Sequence, residues 1–181
     1  MSQFVSKITP EKKKLRELKF NIYIAAIQEN KNLDTQPLPD DLENELKNNS
    51  VKELSSYLSI IVDKNNKHST ISDTVEGSYV RAFVVGLSES IRHILNTIEQ
   101  QYHRYCLVNI KSENIYILTL VNSWISIWEN NNFENRKFAS DLEELNKLLK
   151  TINFKTVLIH KTCDEYAWSL DKKINELALR T

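Results

Sequence analysis

Apolar side chains recur every three or four positions along most of this chain, the repeat that lines one face of an α-helix. The first such stretch opens at Thr9-Pro10-Glu11. There threonine accepts from an exposed backbone amide, proline sits where its missing donor costs nothing, and glutamate faces the positive helix end. Leu15, Leu18, Ile22 and Ala25 or Ala26 carry the stripe toward Asn30, after which Pro37 and Pro39 break it. Asp40 and Asp41 begin a short helix with Leu42 and Leu46. A capping box from Ser50 to Glu53 then introduces a helix through Val51, Leu54, Tyr57, Leu58 and Ile61, ended by "DKNNKHS".

Val80, Phe83, Val84, Leu87, Ile91, Ile94, Ile98, Tyr102 and Tyr105 follow at near-heptad spacing and predict the longest helix, about residues 71–107. Gly77 and Gly86 weaken it by about 1 kcal/mol each relative to alanine, so a kink or a close helix crossing is expected there. Ser112 caps an apolar helix reaching Trp128, with Trp124 one turn before. The box from Ser140 to Glu143 opens another, to about Thr151. Ile159, Cys163, Tyr166, Leu170, Ile174 and Leu177 form the stripe of a last helix from Phe154 to about Leu179.

The pattern therefore predicts an all-α fold: a single-domain helical bundle of about five to seven helices, arranged as up-and-down neighbours around one long central helix. One helical domain spans 1–181, with an N-terminal helical part at about 9–63 and a main bundle at about 70–181. A chain of 181 residues suits one such core. Only two glycines and three prolines are present, well under the ordinary ~7% and ~5%, whereas sandwiches and barrels need many glycine-bearing turns.

Charge narrows the function. Twenty-four basic residues balance 24 acidic ones, which argues against a dedicated nucleic-acid binder. The apolar run from Asn114 to Trp128 falls short of the ~20 residues a bilayer span requires. "MSQFVSKITPEKKK" has no apolar signal core. The expectation is an intracellular protein of cytoplasm or nucleus, without signal peptide or transmembrane helix.

Candidate chemistry lies first in "HRYC" and "HKTC", which hold both cysteines and half of the four histidines. His at i and Cys at i+3 share a helical face, and an up-and-down bundle brings the two pairs to one end. His103, Cys106, His160 and Cys163 are thus candidate ligands of a structural zinc, the one cofactor considered. Their spacing matches no zinc finger or ribbon, and the plainer reading makes both cysteines small buried residues. A Cys106 to Cys163 disulfide is allowed by the same geometry but disfavoured in a reducing compartment.

Arg81, Arg92 and His103 recur every eleven residues, with Arg104 beside them, and form a candidate anion-binding line on the long helix. The basic stretch "EKKKLRELK" could lie on an anionic membrane surface. No GxSxG, P-loop, GxGxxG or HExxH occurs, and the acidic pairs Asp40-Asp41, Glu143-Glu144 and Asp164-Glu165 are consecutive, so they diverge on a helix. No enzymatic activity is expected.

The leading expectation is a non-enzymatic helical protein that binds a protein partner, or itself, as a subunit, adaptor or inhibitor. Val84, Val85 and Trp128 are its candidate interface. A zinc-stabilised helical protein and a nucleic-acid or phosphate binder using the basic helix face are the alternatives.

Overall fold

A computed structural model describes residues 18–28 and 54–178. At its centre is a five-stranded sheet in the order β3-β2-β1-β4-β5, made of β1 (Lys19–Gln28), β2 (Leu54–Asp63), β3 (His68–Glu76), β4 (Leu107–Ser112) and β5 (Asn153–Leu158). β1 pairs antiparallel with β2, and β2 with β3. β4 lies parallel to β1, and β5 parallel to β4.

Among the described residues five helices accompany the sheet: α1 (Tyr79–Asn96), α2 (Ile115–Thr119), α3 (Ile125–Glu129), α4 (Ala139–Thr151) and α5 (Glu165–Ala178). A π turn, Leu120–Trp124, joins α2 to α3, and a 3-10 helix, Gln100–Tyr105, precedes β4. Parallel neighbours demand crossovers, supplied by α1 between β3 and β4 and by α2 to α4 between β4 and β5.

The all-α bundle is therefore overturned: the fold is α/β, with a mixed sheet. The stripe from Leu18 to Ala26 belongs to a strand whose two faces are both covered. Ile22 and Ile24 pack with α1, which α4 covers in turn, while Tyr23 and Ile27 pack with α5. The stripe through Leu54, Tyr57, Leu58 and Ile61 is β2, buried on both sides. A strand sandwiched between helices carries apolar residues at both parities, and a three- or four-residue repeat can be traced through it by chance.

The expected 71–107 helix is three elements. β3 comes first; Gly77, at φ +124°, turns the chain; Ser78 then caps α1 by accepting from the Arg81 amide at 3.5 Å. The expected last helix is split likewise into β5 and α5. Two helices do fall near where periodicity places them, the α2–α3 segment and α4.

Glycine scarcity misled because other residues take left-handed positions: Asn66 closes the β2–β3 hairpin at φ 60°, and Asn132, Phe133, Asn135 and Phe138 turn the chain between α3 and α4. Asparagine tolerates that region through local hydrogen bonds. The hairpin is further fixed by Asp63, whose carboxylate accepts from the amides of Asn65 at 2.7 Å and Lys67 at 2.9 Å. Readings that fall on Thr9 to Arg16, on the segment from Asn30 to Glu53 and on "EKKKLRELK" up to Glu17 lie outside the described residues.

Candidate functional site

Open α/β sheets bind ligands in the crevice outside the carboxyl ends of their strands, at the point where chain connections depart to opposite sides. β1 occupies that point, because its chain continues to β2 on one flank while β4 lies parallel on the other. A cavity of ≈ 180 Å³ opens there, with Glu113 and Asp171 at its polar side and Ala25, Ala26, Phe83 and Ile117 among its apolar walls.

Each acid is held by local structure. Glu113 directly follows β4, whose alternation of Val108 and Ile110 into the core against Asn109 and Lys111 outward sets the strand's register. Asn114 then caps α2 by accepting from the amides of Tyr116 at 3.0 Å and Ile117 at 3.2 Å, while Ser112 Oγ accepts from the Asn114 amide at 3.3 Å. The residue between these two turns has little freedom.

Asp171 rides on α5, which is clamped to the sheet at its start. Asp164 accepts from the Ala167 amide at 2.9 Å and from the Tyr23 hydroxyl at 2.7 Å. Lys111 donates to the same hydroxyl at 2.8 Å, with its ammonium 3.9 Å from the Asp164 carboxylate. Asn175 donates a long 3.5 Å hydrogen bond to Asp171.

Electrostatics set Glu113 and Asp164 apart. Burial and then the nearby Asp171 charge raise the Glu113 carboxyl above its ordinary range, against the opposing pull of His160 and Lys161. Burial also acts against charge on Asp164, but the amide of Ala167, the Tyr23 hydroxyl and Lys111 outweigh it and hold Asp164 low. Burial, followed by the bond to Asp164, pushes Tyr23 up.

The four expected zinc ligands do not form a site. Cys106 is fully buried, its thiol pushed up to about 12 by burial, while Cys163 is exposed. His103 contacts the carbonyls of Leu95 at 3.1 Å and Ile98 at 3.0 Å, at the end of α1, and His160 contacts Thr162 at 2.8 Å. Among the described residues no group of three or more His, Cys, Asp or Glu could hold a metal.

The anion line is spent on other contacts. Arg81 binds Asp141 at 2.7 Å and Arg92 binds Glu89 and Glu144, so these two tie α1 to α4. Arg104 lies over the Tyr105 ring. Of the expected interface, Val84 and Trp128 are core residues and Val85 is half-buried. Among the described residues, no helix is long and apolar enough to cross a membrane.

No family model matches the sequence, and no curated protein does. Solved structures do. The RNase H domain of prototype foamy virus superposes with a TM-score of 0.52 at 12% identity, covering 91% of this chain and 93% of that one. The RNase H1 called LC11, isolated from compost by a metagenomic approach, gives 0.55 at 11% identity, covering 90% and 97%. The foamy virus protease-reverse transcriptase gives 0.58 at 11% identity over 88% of this chain, which spans only 20% of that larger protein. This is the RNase H fold. At such identities the likeness establishes architecture, and it overturns the reading of a non-enzymatic adaptor, subunit or inhibitor that favours a protein partner. That reading rested on a helical bundle, and the structures that superpose on this sheet include RNase H domains.

Two carboxylates lining one cavity are a donor set suited to a hard divalent cation such as Mg²⁺. Magnesium keeps several waters and is commonly bound through one or two carboxylates plus substrate phosphates. Glu113 and Asp171 meet that requirement for one ion. A pair of ions about 3.5–4 Å apart, the arrangement of two-metal nucleases, would need further donors, where this cavity presents Ala25, Ala26 and Phe83.

Neither acid stood out in the sequence, because attention to neighbouring carboxylates cannot find two that are distant in the chain. The usable signal was an acid placed just after the alternating stretch Val108 to Lys111.

Proposed function

We propose that this chain is a nucleic-acid-directed domain of the RNase H fold that takes an RNA/DNA hybrid across the carboxyl ends of β1 and β4 and hydrolyses its backbone with the help of one divalent cation. The observation that carries the reading is the convergence of Glu113 and Asp171 on a cavity at the strand ends of this sheet. The fold it shares with RNase H domains supports the substrate class.

A cation bound there would neutralise phosphate charge and polarise a phosphoryl oxygen. The chain's own residues supply position. Asn114 and Ser112 fix the turn bearing Glu113, and the Asp164 to Tyr23 clamp fixes the helix bearing Asp171. Ala25 and Ala26 keep the wall low, so a sugar-phosphate backbone can approach closely. Lys161 places positive charge near Glu113, where a phosphate would sit.

End-labelled RNA in a hybrid, incubated with the protein and Mg²⁺, tests the reading. Cleavage should fall by at least about 100-fold in Glu113→Gln and in Asp171→Asn, the scale of losing a principal transition-state contact, with hybrid affinity changed far less. Cleavage unaltered in the double variant, or no binding of hybrid by the wild type, contradicts it.

A further inference from the structure

The sheet has a half-face that α5 leaves open. α5 packs on β1 and β2, whereas on the same face β4 and β5 present Leu107, Asn109 and Lys111 beside Asn153, Lys155 and Val157 in matched register. Asn153, Lys155 and Val157 are exposed. The β1 residues aligned with this row are Lys19, exposed at the strand's start, Asn21 and Tyr23. Asn109 donates to Asn21 at 2.9 Å, so this surface is polar and ordered rather than an uncovered core.

The charges on its strands have one sign. The three strands β1, β4 and β5 carry Lys19, Lys111 and Lys155 and no carboxylate, in a chain whose 24 acids balance its bases overall. The acid that reaches this face, Asp164, is already bound by Tyr23 and Lys111. Asp164, Trp168 and Asp171 stand at i, i+4 and i+7 on one flank of α5. Trp168 is thereby placed between the Lys111 contact and the cavity, and it is 57% exposed.

We propose that this half-face carries a single-stranded extension of the nucleic acid engaged at the strand ends, with Lys19 and Lys155 meeting phosphates and Trp168 stacking on a base. The occupant follows from charge complementarity, from continuity with the cavity, and from the pairing of a cationic track with an exposed aromatic ring that sequence-tolerant strand binding requires. Among the described residues the track is about 20 Å long, the length of a six-residue strand. The proposal rests on the reading of the cavity as a nucleic-acid site, and its test separates the two.

Fluorescence anisotropy with two probes provides that test: a blunt RNA/DNA hybrid, and the same hybrid bearing a single-stranded RNA tail. The tail should tighten wild-type binding about tenfold. In Lys19→Glu/Lys155→Glu that gain should vanish and the slope of log affinity against log salt should fall by about 1.4, two contacts at roughly 0.7 each. Blunt-hybrid binding should stay within about twofold. Trp168→Ala should remove part of the gain without changing the salt slope, and Lys147→Glu on exposed α4 surface should change neither. A tail that adds nothing, or an equal loss in Lys147→Glu, overturns the track while leaving the cavity reading intact. Tail-dependent binding with no affinity for the blunt hybrid overturns the cavity reading and supports the track.

Discussion

Glu113 is a residue that costs stability where it is placed. Its carboxyl is raised above the ordinary range by burial and by Asp171, so the folded state holds its proton more tightly than the unfolded chain does. The penalty is absent at low pH and grows as pH rises through and above the usual carboxylate range. Glu113→Gln should therefore melt about 1–3 °C higher than wild type at pH 7, with the difference vanishing near pH 4. Calorimetry at both pH values checks this, and a loss of stability at pH 7 would speak against a strained acid. Gly86 illustrates a constraint of shape. A Cβ built there would lie 2.4 Å from Tyr57 Cδ2 and 2.6 Å from Cγ, across the contact of α1 with β2. Gly86→Ala should cost about 1–3 kcal/mol by overpacking, and Tyr57→Val in the same chain should recover most of it in denaturant titration. The glycine was legible in the sequence as a close crossing; its partner is a strand rather than a helix.

At the level of elements, β1 joins the core to the site. Its interior residues anchor two layers, and its last turn of chain brings Ala25 and Ala26 to the cavity wall. Ala25 packs toward α5, the helix that bears Asp171. Ala25→Asp should supply a third carboxylate, raise Mn²⁺ affinity at least about tenfold by electron paramagnetic resonance, and raise the hybrid cleavage rate. Unchanged Mn²⁺ binding would show that the wall is not part of an ion site. Strand identity was only partly legible. β4 alternates cleanly, because only one face meets the core. β1 and β2 do not, because helices or further apolar residues cover both of their faces. α4 could be read from its Leu142, Leu145 and Leu149 stripe, since an amphipathic surface helix writes its period without interference, but the capping box expected at Ser140 is not formed: Phe138 holds the N-cap position and makes no side-chain cap.

At the scale of the whole molecule, net neutrality conceals sorting of charge. Arginines on α1 neutralise acids of α4 and α1, while β1, β4 and β5 keep lysines without acids. Composition averages over both, which is why it argued against nucleic acid. Glycine scarcity misled at the same scale, since other residues, Asn66, Asn132 and Asn135 among them, do the turning. The two site acids, Glu113 and Asp171, are brought together by a parallel strand crossover and a final helix, relations that no local window contains. The most direct measurement is amide chemical-shift mapping of the full chain on addition of a short RNA/DNA hybrid with Mg²⁺. The account predicts the largest shifts at Ala25 and Ala26, at Ser112 to Asn114 and at Asp171 to Asn175, diminished in Glu113→Gln. Shifts centred on the β2–β3 hairpin, or none at saturating hybrid, would contradict it.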